Sequence, residues 1–155
     1  GANGIQALDL VGRKLPRNGG RAVMAFFAEV NGFIKEHGED AAMKPYTAPL
    51  AVSLGHLQKA TTWLMMNAMA QPDNAGAAAT DYMHLFGLVA LGYMWAKMAK
   101  VAQDKIAAGE STPYLTSKLV TGRFFAERML PETALRLARV ESGCGTVMEL
   151  PAEAF

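Results

Sequence analysis

Leu85-Phe-Gly-Leu-Val-Ala-Leu-Gly-Tyr-Met-Trp-Ala96 contains no charged residue. Its Leu, Ala and Met residues favour helix in spite of Gly87 and Gly92. Wound as a helix, it carries apolar side chains in every direction. Polar residues bracket it, with Asp81 and His84 before and Lys97 and Lys100 after. A soluble helix that is apolar all round has to be covered on all sides. The rest of the chain is therefore expected to be arranged around this stretch. The run falls short of the roughly 20 residues that cross a bilayer, so it reads as a buried helix and no membrane association is expected.

On both sides the pattern is helical. The stretch sits inside a long helix predicted over 75–108. Before it, 50–70 forms another, with Leu50, Leu54, Leu57, Leu64, Met65 and Ala68 as its core stripe. Earlier still, Arg21 to His37 repeats Val23, Phe26, Phe27, Val30, Phe33 and Ile34 at helical spacing and stops at Gly38. Ile5 to Leu15 is a short helix ending in Arg13 and Lys14, cations suited to a helix C-terminus. Pro16-Arg17-Asn18-Gly19-Gly20 breaks it. After Gly109, Ser111 or Thr112 can cap a last helix with Pro113 in its first turn. Its stripe runs Leu115, Leu119, Gly122, Ala126, Met129, Leu130, Leu137 and Val140, interrupted by a kinking Pro131. No strand alternation with hairpin turns appears. The fold expected is all-α: an antiparallel up-and-down four-helix bundle with a short N-terminal helix.

At 155 residues the chain suits one domain, able to bury roughly 68–70% of its unfolded surface. A formal charge of +1 gives no general attraction to nucleic acid or acidic lipid. A single Cys144 excludes an internal disulfide framework and suits the reducing cytoplasm. The first residues lack a basic region followed by an apolar run, so no secretory leader is expected.

The candidate chemistry is thin. Asp81 and His84 stand at i and i+3, where both could reach one metal ion. Bundles that hold two metals use two such pairs plus further carboxylates, and here there is one pair, so a hydrogen-bonded polar position is the preferred reading. Met65, Met66 and Met69 read as adaptable filler. Cys144 lies in a Ser-Gly-Cys-Gly loop where exposure is expected, with no histidine near in sequence to activate it. Arg13, Lys14, Arg17 and Arg21 cluster locally and read as solvated charge at a helix end. No phosphate-binding or nucleophile-elbow motif is present.

Two ends of the chain carry more. Asn3-Gly-Ile-Gln-Ala-Leu-Asp-Leu-Val-Gly-Arg-Lys-Leu15 resembles a segment of acyl-CoA dehydrogenases. In that family it follows a Tyr-Glu-Gly-Thr motif whose Glu, in many members, removes the α-proton of the thioester before the β-hydride passes to FAD. Lys118-Leu-Val-Thr-Gly-Arg-Phe-Phe-Ala-Glu-Arg-Met-Leu-Pro-Glu132 and Leu150-Pro-Ala-Glu-Ala-Phe155 resemble the extra C-terminal helical domain of a bacterial subgroup, which includes enzymes similar to 3-methylthiopropionyl-CoA dehydrogenase. His84 to Trp95 fits the same domain.

The resemblance implies that residues 1–17 end the dehydrogenase body and 18–155 form the appended bundle. The position of the catalytic Glu would precede the chain, so no catalytic residue is assigned. Asn3, Gly4 and Gln6 are the positions that would lie near the flavin, with Gly4 offering only backbone. The partners implied are the remaining domains of the parent enzyme, its acyl-CoA substrate, and a second copy in a homo-oligomer. FAD would belong to the parent and would not be retained by these residues alone. Phe86, Tyr93, Trp95 and Trp63 are expected to reach the dehydrogenase body or a second subunit. The alternative is a non-catalytic helical module for dimerisation or nucleic-acid binding. Arg13, Lys14, Arg17, Arg123, Arg128, Arg136 and Arg139 motivate it, while Glu127, Glu132 and Glu141 dilute that charge.

Overall fold

The computed structural model describes residues 1–154 and is all-helical among them. Phe155, the last residue of the resembling tail, lies outside the described residues. Helix α1 spans Ala2–Asp9 and continues through one wide π turn, Leu10–Lys14. Then come α2 (Arg21–His37), α3 (Lys44–Asn67), α4 (Asp73–Ala107), α5 (Pro113–Phe124), α6 (Glu132–Glu141) and the one-turn α7 (Gly145–Met148).

Helix α4 is the central element, and α1, α3, α5 and α6 all pack on it. Cross-contacts set the helix directions. Gln103 near the end of α4 donates to the carbonyl of Ala42 just before α3. At the opposite ends, Asn74 at the start of α4 donates to the carbonyl of Asn67 closing α3. The two helices are thus antiparallel. Gly92 faces Leu130, and Asp81 meets Arg136, so the α5–α6 arm also runs against α4. Phe26 stacks on Phe86 at 5.0 Å between ring centroids, and Phe33 meets Tyr93 edge-on at 5.5 Å. Those pairs hold α2 beside α4 in the same direction. Large rings rather than close backbones make that contact.

The core is built mainly from the expected stripes. Val23, Phe27 and Val30 of α2, Leu50, Leu54, Leu57 and Leu64 of α3, and Leu137 and Val140 of α6 are all buried. Helix α3 starts earlier than expected, at Lys44, and brings the buried Tyr46 and Thr47 into the core. Pro45 causes no loss there, because the first N–H groups of a helix have no partner within it. Polar residues also enter the core where their hydrogens are used. Thr61 donates to the carbonyl of Leu57 at 2.8 Å, which leaves its oxygen free to accept the Tyr82 hydroxyl at 2.8 Å. Burial, partly offset by that bond, pushes the Tyr82 phenol up to about 12.

The expected fourth helix is divided. Pro131 has no N–H and frees the carbonyl four residues back. The chain widens just before it, over Phe125–Met129, where Leu130 N–H donates to the Phe125 carbonyl at 3.1 Å. A fresh helix, α6, starts at Glu132. Together α5 and α6 cover the length of α4 that one straight helix would have covered.

The organising stretch is covered on one side only. Leu85, Val89, Gly92, Tyr93 and Ala96 are buried, while Leu91 and Met94 are exposed. Nor are its aromatics fully open. The Tyr93 hydroxyl donates to Glu29 at 2.9 Å, Phe86 packs on Phe26, and Trp95 lies beside Phe125. Trp63 rests against Gly143. Each ring has a partner within the chain, but only Tyr93 is buried; Phe86, Trp95 and Trp63 stay half-buried and keep part of their surface outward. The most exposed apolar surface of this stretch is aliphatic, at Leu91 and Met94. By length and composition the whole of α4, unlike the run Leu85–Ala96, is long and apolar enough to cross a membrane. Here its inner face is the middle of the helical core.

Candidate functional site

At one end of the bundle the short N-terminal helix meets the α3–α4 turn. Its π turn places Val11 and Leu15 inward, and Ala7 joins them against α4. The opposite flank stays open, with Ile5 and Leu8 exposed. Behind Leu15 the chain reverses through three consecutive left-handed residues, Asn18 (φ 52°), Gly19 (φ 64°) and Gly20 (φ 78°). Asn tolerates that conformation and Gly adopts it freely. Gly20 is needed for a second reason: a Cβ there would come within 2.9 Å of Met65 Cε. The breaker seen in the sequence is thus a tight joint that lays α1 across the turn between α3 and α4.

Two apolar grooves flank the π turn. One, of about 410 Å³, lies between Leu15, Gly20, Leu64, Met65, Met69 and Pro72. The other, of about 400 Å³, lies between Leu8, Asp73, Gly76, Val147 and Met148. They share Val11, Gly12, Pro72 and Ala75, so they are two halves of one depression wrapped around the π turn. Met69, Val147 and Met148 stand exposed at its rim. Contiguous exposed apolar surface of this kind marks a contact surface. The methionines read as core filler are therefore surface residues: Met65, Met66 and Met69 are all exposed, while their neighbour Leu64 is core. Sequence stripes missed this because a depression at a helix end has no helical period of its own.

Asn3, Gly4 and Gln6 all lie exposed on α1. A Cβ on Gly4 would meet nothing within 4 Å. These residues line neither groove.

The remaining candidates have structural partners. Asp81 accepts from Arg136 at 2.6 Å and lies 3.7 Å from Arg139, while His84 points to solvent, exposed. No group of metal-ligating side chains forms among the described residues. Cys144 is buried, not exposed as expected, and its N–H donates to Asn74 Oδ1 at 3.0 Å. That bond pulls the loop inward and explains the burial. Arg13 and Lys14 both pair with Asp9, whose carboxyl the Arg13 hydrogen bond holds down at about 2. Arg123 pairs with Glu127, and Arg136 with Glu132 as well as Asp81. The basic residues considered for nucleic acid are thus dispersed and largely paired with carboxylates. Sequence spacing hid the Asp81–Arg136 pair, which joins positions far apart in the chain.

A polar network missed in the sequence joins α3 to α6. Thr133 Oγ1 lies 2.7 Å from the Leu130 carbonyl, 2.9 Å from His56 Nδ1 and 3.3 Å from Ser53 Oγ. The hydroxyl has one proton, and the carbonyl is its closest acceptor. Its oxygen can then accept from an Nδ1–H of His56. Burial, and secondarily Lys59, lowers the His56 pKa from its ordinary value.

Comparison with known proteins agrees with this architecture. The family model described as "Acetyl-CoA dehydrogenase C-terminal like" matches residues 26–151. The 3-methylmercaptopropionyl-CoA dehydrogenase of Ruegeria pomeroyi is 29% identical over 143 residues, which cover 90% of this chain and 24% of the relative. The broad-specificity linear acyl-CoA dehydrogenase FadE5 of Mycobacterium tuberculosis is 25% identical over 164 residues, covering 100% of this chain and 27% of the relative. The chain thus spans about a quarter of the length of the curated relatives it matches. It belongs to the acetyl-CoA dehydrogenase C-terminal-like family, the helical C-terminal domain of acyl-CoA dehydrogenases.

Proposed function

We propose that this domain serves a flavin-dependent acyl-CoA dehydrogenase by packing against its catalytic body, and that it is not catalytic alone. The observation that carries this reading is the apolar depression around the π turn, with Leu8, Met69, Val147 and Met148 exposed at its edges. Such a surface is costly to leave wet. The same end carries α1, the segment that resembles the end of a dehydrogenase body. On this reading residues 1–17 belong with that body and residues 18–155 form the appended bundle. Asn3 and Gln6 offer side-chain hydrogen bonds at the edge of an FAD held mainly by other domains, and Gly4 offers backbone alone. FAD would supply the hydride acceptor. The substrate is an acyl-CoA thioester, since both relatives are named as dehydrogenases of such compounds. The assembly is a homo-oligomer in the cytoplasm.

The test uses the longer polypeptide encoded around this chain. It is expected to copurify with flavin and to bleach that flavin when an acyl-CoA thioester is added without oxygen. Leu8→Glu combined with Met69→Glu is expected to loosen the domain from the body, read as faster proteolysis between them. A longer polypeptide without flavin, or one with no Glu just upstream of Asn3, defeats the reading.

A further inference from the structure

The outward face of α4 is a second apolar surface, separate from the depression at the bundle end. Leu91 (53% exposed), Met94 (43%), Met98 (37%) and Val101 (55%) follow one another at i, i+3, i+7 and i+10. That spacing puts them in one stripe, about 15 Å long at the helical rise. Beside its C-terminal half, α4 and α5 enclose an open groove of about 320 Å³, floored by Met98, Val101, Ala102 and Leu115.

The rim of that groove is cationic. Lys97, Lys105 and Lys118 all line it. Lys105 is paired with Glu110 at 2.9 Å. The other two have no carboxylate within ion-pair distance among the described residues. Lys97 Nζ lies 5.1 Å from the Tyr93 ring centroid, and Lys118 Nζ lies 5.4 Å from Trp95 and 5.1 Å from Tyr114. Aromatic faces hold both ammonium groups in place beside the apolar floor.

We propose that this face docks an acidic amphipathic helix from a partner protein. An apolar stripe at i, i+3 and i+7 receives the matching stripe of a partner helix. Lys97 on one side and Lys118 on the other then meet carboxylates flanking that stripe. A second copy of this chain is disfavoured because it brings the same lysines to the contact, setting like charge against like. A flat lipid surface does not fill a groove sunk between two helices.

The experiment uses the whole 155-residue chain and two labelled peptides, followed by fluorescence anisotropy. Both are helical with Leu at i, i+3 and i+7; one carries Glu at the flanking positions and the other Lys. The Glu peptide is expected to bind at least about tenfold more tightly than the Lys peptide, and to weaken as salt rises. Met98→Glu and, separately, Val101→Glu are expected to weaken it about tenfold. Lys97→Glu with Lys118→Glu is expected to reverse the preference. Circular dichroism of each variant confirms that the helices persist, and two separate stripe variants guard against one misfolding. Equal binding of both peptides, indifference to the lysine reversal, or no binding overturns the proposal. So does preferential capture by vesicles of phosphatidylcholine and phosphatidylglycerol. Self-association that Met98→Glu abolishes also overturns it, in favour of a second copy.

Discussion

Arg136 on α6 and Asp81 on α4 meet through a 2.6 Å contact between Nη1 and Oδ1, with both side chains 19% exposed. The same guanidinium uses Nη2 and Nε on Glu132, at 2.6 and 2.9 Å. One planar fork therefore serves two carboxylates, and only one of them lies on its own helix. Those bonds raise the Arg136 pKa further above its ordinary value, Asp81 contributing first.

Arg136→Met is expected to destabilise the domain by about 1–3 kcal/mol, the range for leaving a hydrogen-bonding partner unsatisfied. It leaves Asp81 with only the more distant Arg139. Arg136→Lys should recover part of the loss, since a point charge cannot bridge both carboxylates. Urea unfolding followed by circular dichroism measures both.

Close approach of α4 and Leu130 depends on Gly92. A Cβ there would stand 2.9 Å from Leu130 Cδ2 and 3.2 Å from Cδ1. Gly92→Ala gains about 1 kcal/mol of helix propensity, but overpacking costs typically 1–3 kcal/mol. The net expectation is a loss of about 1 kcal/mol. Leu130→Ala alone costs about 2–5 kcal/mol. The double variant should be more stable than the sum of the two single losses, because the new methyl enters vacated space.

At the joint before α2, Gly20→Ala adds a side chain to a left-handed residue and drives it onto Met65. The backbone term alone is about 1–2 kcal/mol. A lowered thermal midpoint is expected. Gly19→Ala has the same sign of φ but open space around it, so its loss should be the smaller of the two.

Acid should weaken the α3–α6 contact through His56. Its pKa is lowered in the folded chain, so the unfolded chain binds the proton at higher pH. The stabilising contribution of neutral His56 is complete above its unfolded pKa, near 6.5, and falls as pH drops from there toward the folded pKa. His56→Gln removes the titration. The stability difference between wild type and this variant should shrink on going from pH 7.5 to 5.5. A difference that stays constant or grows would contradict the assignment.

Most of the helical layout could be read from apolar spacing. Arg21–His37 coincides with its structural bounds because its stripe is clean and a glycine closes it. Leu64 and Met65 show the limit of that method. They are adjacent, similar in hydrophobicity and line the same groove, yet one is buried and the other exposed. Spacing says which face of a helix is apolar, and not whether anything covers it. Leu85–Ala96 reads as apolar all round, more than the neighbouring helices can cover, and Leu91 and Met94 do stay exposed. Cys144 was misjudged because glycine neighbours suggest an open loop, whereas the Asn74 bond closes it from far away in sequence. The family resemblance at Asn3–Leu15 named a role for Asn3, Gly4 and Gln6 that their exposed positions on α1 neither enclose nor obstruct.

Because α1, α3, α5 and α6 all rest on α4, no one of them can leave without uncovering it, and α4 cannot open while they stay. Backbone amides on the inner turns of α4, such as those of Leu85, Val89 and Ala96, should therefore exchange with deuterium only when the whole domain unfolds. Amides at the start of α5, where Thr116 and Ser117 are exposed, should exchange far sooner through local fraying. The domain thus has one cooperative centre, and slow exchange at Val89 would report the global unfolding free energy directly.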